Sequence, residues 1–143
     1  VSETSRSLED LHPVFQPIAR DILELAQNRI TAVSPGSIIR PATTFRSIAD
    51  QAAAKAAGRS KASVGWHNFG LALDVAVITQ DGAYVSKGED ERYRIFGTSA
   101  LEHGCVWGGN WQNFPDPPHA EYHPGFSLAQ YMSWLDSHRV TMA

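Results

Sequence analysis

Apolar residues recur at steps of three and four from residue 8 to residue 26, at Leu8, Leu11, Phe15, Ile18, Ile22 and Leu25. That spacing predicts an amphipathic helix. Ser7 is placed to cap it, and Glu9 and Asp10 suit the positive end of the helix dipole. Pro13 and Pro17 interrupt the stretch. Either the helix starts near Pro13 or it kinks at Pro17, and its firm part is expected over about 14–28. Pro35-Gly36 marks a turn. Residues 37–45 read as extended, because Ile38 and Ile39 are β-branched, and Pro41 favours an edge strand or a bulge. Residues 47–57 are alanine-rich and predict a helix, with Ser47 as N-cap and Gly58 as the stop.

Residues 58–70 are polar and glycine-containing, which predicts a loop. Leu71 to Ile78 is a compact apolar run between Gly70 and Asp81-Gly82, a hairpin-turn pair. With a period of two, Leu71, Leu73, Val75 and Val77 share one face, and Ala72, Asp74, Ala76 and Ile78 the other. After a break at 88–90, a helix is expected over 91–103 with Tyr93, Phe96, Ala100 and Leu101 inward. Short strands are expected at 105–107 and 120–122, separated by a Gly-, Asn- and Pro-rich loop at 108–118. Ser127 should cap a last helix that buries Leu128, Tyr131, Met132 and Leu135. Helices and strands do not alternate strictly, which predicts the α+β class with a small antiparallel sheet flanked by helices.

The chain has 143 residues, 43% apolar and 19% charged, a composition that builds a packed core in one domain spanning 1–143. Its net charge of −3 comes without a basic face, which excludes nucleic acid as the main partner. No apolar run approaches the roughly 18–20 residues that span a bilayer, so membrane insertion is not expected. A single cysteine, Cys105, excludes an internal disulfide framework and a Cys-rich zinc module. Val1 opens the chain without a charged-then-apolar leader.

Six histidines and two carboxylates change the picture most. Asp74 interrupts the apolar strand, where a charge is costly unless something compensates it. A buried Asp bonded to amides or an Arg is the plain alternative; the small Ala72 and Ala76 beside it leave space for a metal or a reaction. His67 lies seven residues earlier, before Gly70, which lets the chain turn into the strand. An imidazole and a carboxylate are good zinc ligands, although a lone loop histidine is commonplace. In Asp116-Pro117-Pro118-His119 the prolines stiffen the backbone. Three residues per polyproline turn put Asp116 and His119 on one side, about 9 Å apart along the chain. The ordinary alternative is a rigid solvated loop. A zinc hydrolase needs three protein ligands, an open position for water, and a base. His67, Asp74 and His119 can supply the ligands and Asp116 the base. Arg46, at the end of the first extended stretch, is the candidate to face a developing oxyanion.

Four segments resemble the zinc peptidases of bacterial cell walls, which include D-alanyl-D-alanine carboxypeptidases and L-alanyl-D-glutamate endopeptidases of phage and bacteria. Phe45-Arg46-Ser47 with Gln51 is similar to the family's aromatic-Arg-Ser…Gln segment. His67 through Asp74 matches His-x-x-Gly-x-Ala-x-Asp; Trp107-Gly108-Gly109-Asn110-Trp111 is similar to Trp-Gly-Gly-Asp-Trp; Asp116 through His119 matches Asp-x-Pro-His. The resemblance covers roughly residues 8–123. It implies zinc on His67, Asp74 and His119, Asp116 as base, Arg46 as carbonyl polariser, and a hedgehog/DD-peptidase-like fold with the zinc on an antiparallel sheet. Gly65, Thr44, Asn110 and Ala120 depart from common family residues; none of these changes removes a ligand or the base.

The resemblance implies the peptide stem of peptidoglycan as substrate and an endopeptidase of the L-alanyl-D-glutamate type, with a D-alanyl-D-alanine carboxypeptidase as the alternative. Gln51, Trp66, Trp107, Trp111 and Tyr122 are candidates to line the substrate groove. A monomer is expected, acting in the cell wall or periplasm, whether phage-encoded or secreted. A different class stays open: a non-catalytic wall-binding module with a structural zinc. His123 is the rival third ligand, and closing the shell with it would favour that module.

Overall fold

The computed structural model describes residues 4–58, 65–125, 127, 129, 130 and 133. Pro13 decides where the first helix begins. A 3-10 turn at Leu8–Asp10 precedes it, and the continuous helix α1 runs Gln16–Val33 with Pro17 in its first turn. Proline is tolerated there because its missing N–H has no helical partner, so Pro17 starts the helix and does not kink it. Ser7 flanks the 3-10 turn and makes no side-chain cap. The helix also runs five residues beyond the expected end at residue 28, and Ala26 and Ile30 continue its buried stripe.

Strand β1 (Ile38–Thr43) is an edge strand with a bulge between Pro41 and Thr43, so Pro41 has both properties its type favours. Helix α2 (Ile48–Ala56) begins at Ser47, whose hydroxyl accepts from the Asp50 N–H. Strand β2 (Ala72–Ile78) lies inside the sheet, antiparallel to β1 on one side and to β4 (His119–Glu121) on the other. A two-residue strand β3 (Val106–Trp107) completes the order β1-β2-β4-β3. The turn at Asp81-Gly82 closes with Thr79 N–H to the Ala83 carbonyl at 2.8 Å, and only one bridge, Ile78 to Tyr84, follows it.

Leu71, Leu73, Val75 and Val77 are all buried, as their alternation predicts. They meet Phe15, Ile22 and Ile30 from α1 and Tyr93, Phe96 and Ala100 from α3 (Glu91–Glu102) in one cluster. The helices thus cover one face of the sheet, which leaves the Asp74 face for chemistry. Leu101 was expected inward but is 45% exposed. Gly97 and Ser99 are the other buried α3 positions, so the inner face turns toward them. The expected last helix, with Leu128, Tyr131, Met132 and Leu135, lies outside the described residues.

Two glycines set the site's frame. Gly70 has φ +69°, and a Cβ there would lie 2.5 Å from the His12 backbone nitrogen. His12 N–H donates to the Gly70 carbonyl at 2.9 Å, which pins the turn into β2. Gly97 makes room for the Trp107 indole: a Cβ would sit 2.2 Å from the ring. Gly109 packs equally close on that ring, and Trp107 Nε1 donates to the Pro117 carbonyl at 2.7 Å, so the ring cannot yield. Gly97→Ala is therefore expected to destabilise the protein by about 1–3 kcal/mol, despite alanine's better helix propensity, read as a lower denaturant midpoint.

Candidate active site

Asp74 and His119 are directly opposed across β2 and β4, so both side chains leave the uncovered face of the sheet. The last strand begins one residue before the expected position because His119 joins this register. His67 comes from a 3-10 turn, Trp66–Phe69, inside the segment expected as loop. Asn68 ties that turn down: its Oδ1 accepts from Gly65 N–H at 2.9 Å and its Nδ2 donates to the Arg46 carbonyl at 2.7 Å. His119 Nδ1 lies 2.8 Å from Asp74 Oδ1, and His67 Nε2 lies 3.1 Å from Asp74 Oδ2. One potential ligand atom from each of the three falls within 4.8 Å of the others.

The nitrogens fit a metal. His67 Nδ1 faces the Thr44 carbonyl at 3.4 Å, an acceptor only, so the neutral ring with its proton on Nδ1 can offer the Nε2 lone pair to a metal. Nε2 is buried and has no hydrogen-bond partner among the described residues. A buried lone pair without a donor, aimed at a carboxylate, is what a cation would satisfy. His119 Nε2 lies 2.7 Å from Glu121 Oε1, and a carboxylate there accepts from Nε2–H, which leaves Nδ1 facing Asp74.

The charges interlock. Burial would raise the Asp74 carboxyl, but His67 and His119 outweigh it and hold it far below the usual carboxylate range. Burial would lower His119, but its bonds to Asp74 and Glu121 push it up to about 10. Asp116 is raised, first by burial and then by the Asp74 carboxylate, with His119, His67 and Arg46 opposing. Its Oδ2 lies 4.0 Å from His119 Nδ1.

The Asp116 loop is fastened from beneath. Asp116 N–H donates to the Gly108 carbonyl at 2.9 Å, and His119 N–H to the Asp116 carbonyl at 3.1 Å. Arg46 sits outside the three-residue cluster. Its N–H donates to the His67 carbonyl at 3.1 Å, and its guanidinium to buried Gln51 Oε1 at 3.1 Å. Gln51 thus reaches Arg46, not open space. Trp111 packs on the His119 ring, with centroids 5.2 Å apart. Trp107 donates to the Pro117 carbonyl, and Tyr122 stacks on Phe15 at 5.8 Å; both remain half-buried. Trp66 stacks on His123 at 4.1 Å. His123 is not part of the three-residue cluster; its Nε2 lies 2.5 Å from Glu121 Oε2.

Glu121 is the site residue that sequence reasoning missed. Its signal is the spacing His119-x-Glu121, which puts both side chains on one face of a strand.

A family model described as D-alanyl-D-alanine carboxypeptidase matches residues 58–122. The peptidoglycan L-alanyl-D-glutamate endopeptidase CwlK of Bacillus subtilis (strain 168) is 30% identical over 131 residues, covering 80% of this chain and 75% of that protein. The crystal structure of the Serratia marcescens L-Ala D-Glu endopeptidase ChiX shares the fold, with a TM-score of 0.59 over 92% of this chain and 93% of that one, at 24% identity.

Proposed function

The chain belongs to the zinc peptidase family of bacterial cell walls, and from that premise we propose that it is an L-alanyl-D-glutamate endopeptidase of the peptidoglycan stem peptide. The observation that carries the reading is the convergence of His67, Asp74 and His119 on one point, with the Asp116 carboxylate beside it. The 30% identity to CwlK supports the endopeptidase over the carboxypeptidase. The place of action is the cell wall or periplasm. No described helix is long and apolar enough to cross a membrane.

His67 would hold zinc through Nε2, Asp74 through a carboxylate oxygen and His119 through Nδ1. Three protein ligands are the number that leaves a catalytic zinc a position for water. Bound there, zinc supplies Lewis acidity, which lowers the pKa of a water and polarises the scissile carbonyl. Asp116 accepts the proton of the attacking water at a carboxylate oxygen and returns it to the leaving amine. Burial and the neighbouring Asp74 carboxylate raise its pKa, the direction that makes a carboxylate a stronger base. Arg46, held by Gln51, stabilises the negative charge that develops on the carbonyl oxygen. Trp111 on the His119 ring gives the substrate an apolar wall. His123, turned to Glu121, does not close the shell, which disfavours the structural-zinc module.

Mass spectrometry of purified peptidoglycan digested with zinc-loaded protein tests the reading. New stems that begin at D-glutamate are the expected product. Loss of only a terminal D-alanine would make the enzyme the carboxypeptidase, and no cleavage would favour the binding module.

Metal uptake should be coupled to pH. His119 is raised to about 10 in the metal-free fold, so below that pH its Nδ1 carries a proton that the metal must displace. Zinc affinity is expected to rise about tenfold per pH unit between neutrality and pH 9, read by competition with a chelator. The metal-free fold behaves oppositely. Stability from the raised His119 is full below its unfolded value and is lost as pH climbs through about 10. Stability from the lowered Asp74 is present above the ordinary carboxylate value and is lost on acidification. A pH series of thermal melts with a chelator present checks both limbs.

A further inference from the structure

We infer that Glu121 and His123 form a positioning relay that fixes which nitrogen of His119 faces the metal. The inference rests on His119 being a ligand, as proposed above. Glu121 is 7% exposed, on a strand, and its two oxygens meet two imidazoles. His119 Nε2 lies 2.7 Å from Oε1, and His123 Nε2 lies 2.5 Å from Oε2. An ionised carboxylate only accepts, so both histidines carry a proton on Nε2.

The consequence for His119 is geometric. A neutral imidazole offers one lone pair, and the nitrogen opposite the donated proton carries it. With Nε2–H committed to Glu121, the lone pair falls on Nδ1, the atom 2.8 Å from Asp74 Oδ1. Without Glu121 the ring is free to choose the other tautomer, with its lone pair turned away from His67 and Asp74. Partners behind a metal-binding histidine also raise its basicity.

His123 acts one step further back. It lies beyond β4 and reaches Glu121 through Nε2. Trp66 lies over its ring, 4.1 Å between centroids with the planes 25° apart. Trp66 opens the same 3-10 turn that carries His67. The contacts therefore close a ring: His119 to Glu121, Glu121 to His123, His123 to Trp66, and from the Trp66–Phe69 turn through His67 and Asp74 back to His119. Displacement of His123 would let the Glu121 carboxylate swing and loosen both histidine ligands.

The test is zinc affinity of the purified full chain, by competition with a chromophoric chelator, for wild type, Glu121→Leu, His123→Phe and the double variant. Glu121→Leu should bind zinc about 10- to 100-fold more weakly. His123→Phe keeps a ring against Trp66 and should lose less, in the same direction. The double variant should match Glu121→Leu, because His123 acts through Glu121. In the metal-free double variant, read at a pH where the ring is neutral, the ¹⁵N shifts of His119 should show its proton moving from Nε2 toward Nδ1, where Asp74 Oδ1 remains to accept it, which a purely structural role would not produce. Should Glu121→Leu fail to fold, Glu121→Gln decides: its amide still accepts from His119 but without charge, and a several-fold weaker affinity is expected. Wild-type affinity in either folded Glu121 variant overturns the relay. Failure of the wild type to bind zinc overturns the ligand assignment beneath it.

Discussion

Asp116→Asn is expected to lower kcat/KM on a stem peptide by about 10²- to 10⁴-fold while leaving one zinc per chain. Asparagine has nearly the shape of aspartate, but it cannot take a proton from water at pH 7. The loop that presents it does not depend on the carboxylate. It is held by the Asp116 N–H to Gly108, by Trp107 Nε1 to Pro117, and by Gly108, where a Cβ would lie 2.4 Å from the Asp116 carbonyl oxygen. None of the three proposed ligands changes. Burial and Asp74 already disfavour the ionised Asp116, so its removal should leave the thermal midpoint unchanged or slightly higher. Steady-state kinetics beside elemental analysis of the dialysed variant separates the two effects. Activity within a few-fold of wild type would remove Asp116 from the chemistry.

His67→Ala is expected to lose both zinc and hydrolysis. His67 is 6% exposed, and its Nε2 has no hydrogen-bond partner among the described residues, so nothing nearby replaces it. Two of the proposed ligands remain, Asp74 and His119, and a two-ligand site does not hold zinc through dialysis. The loss has a thermodynamic signature apart from activity. A ligand at about a hundredfold excess over its Kd stabilises the native state by about 2.7 kcal/mol. The wild type should therefore melt higher with zinc than with chelator, and His67→Ala should melt at one temperature in both. A zinc-dependent rise that survives the substitution would place the metal elsewhere.

These two variants separate because the site is built from two kinds of segment, and the two were unequally legible. The strand that carries Asp74 was readable: its alternation puts Leu71, Leu73, Val75 and Val77 in the core and leaves Asp74 on the other face, as observed. The Ser47 cap and the Gly70 turn were readable because each is local chemistry, a hydroxyl on an orphan N–H and a residue at positive φ. The start of α1 was not, because the apolar spacing continues through Leu8 and Leu11 where Pro13 denies a continuous helix. Leu101 fits the helical period but falls at the rim of α3, where tertiary packing stops. Glu121 escaped notice because a three-residue strand has too few positions to show a period, and its partners arrive only through the fold. The contacts of Trp107 with Pro117 and of Tyr122 with Phe15 were not legible either, because both partners are distant in sequence and meet only in the fold.

Diffraction from crystals of the zinc-loaded protein, at and below the zinc absorption edge, tests the central claim most directly. One anomalous peak is expected, about 2.0–2.2 Å from His67 Nε2, an Asp74 carboxylate oxygen and His119 Nδ1. A water should occupy the fourth position, within reach of Asp116. A peak closed by four protein ligands, or one seated on Glu121 and His123, would contradict it.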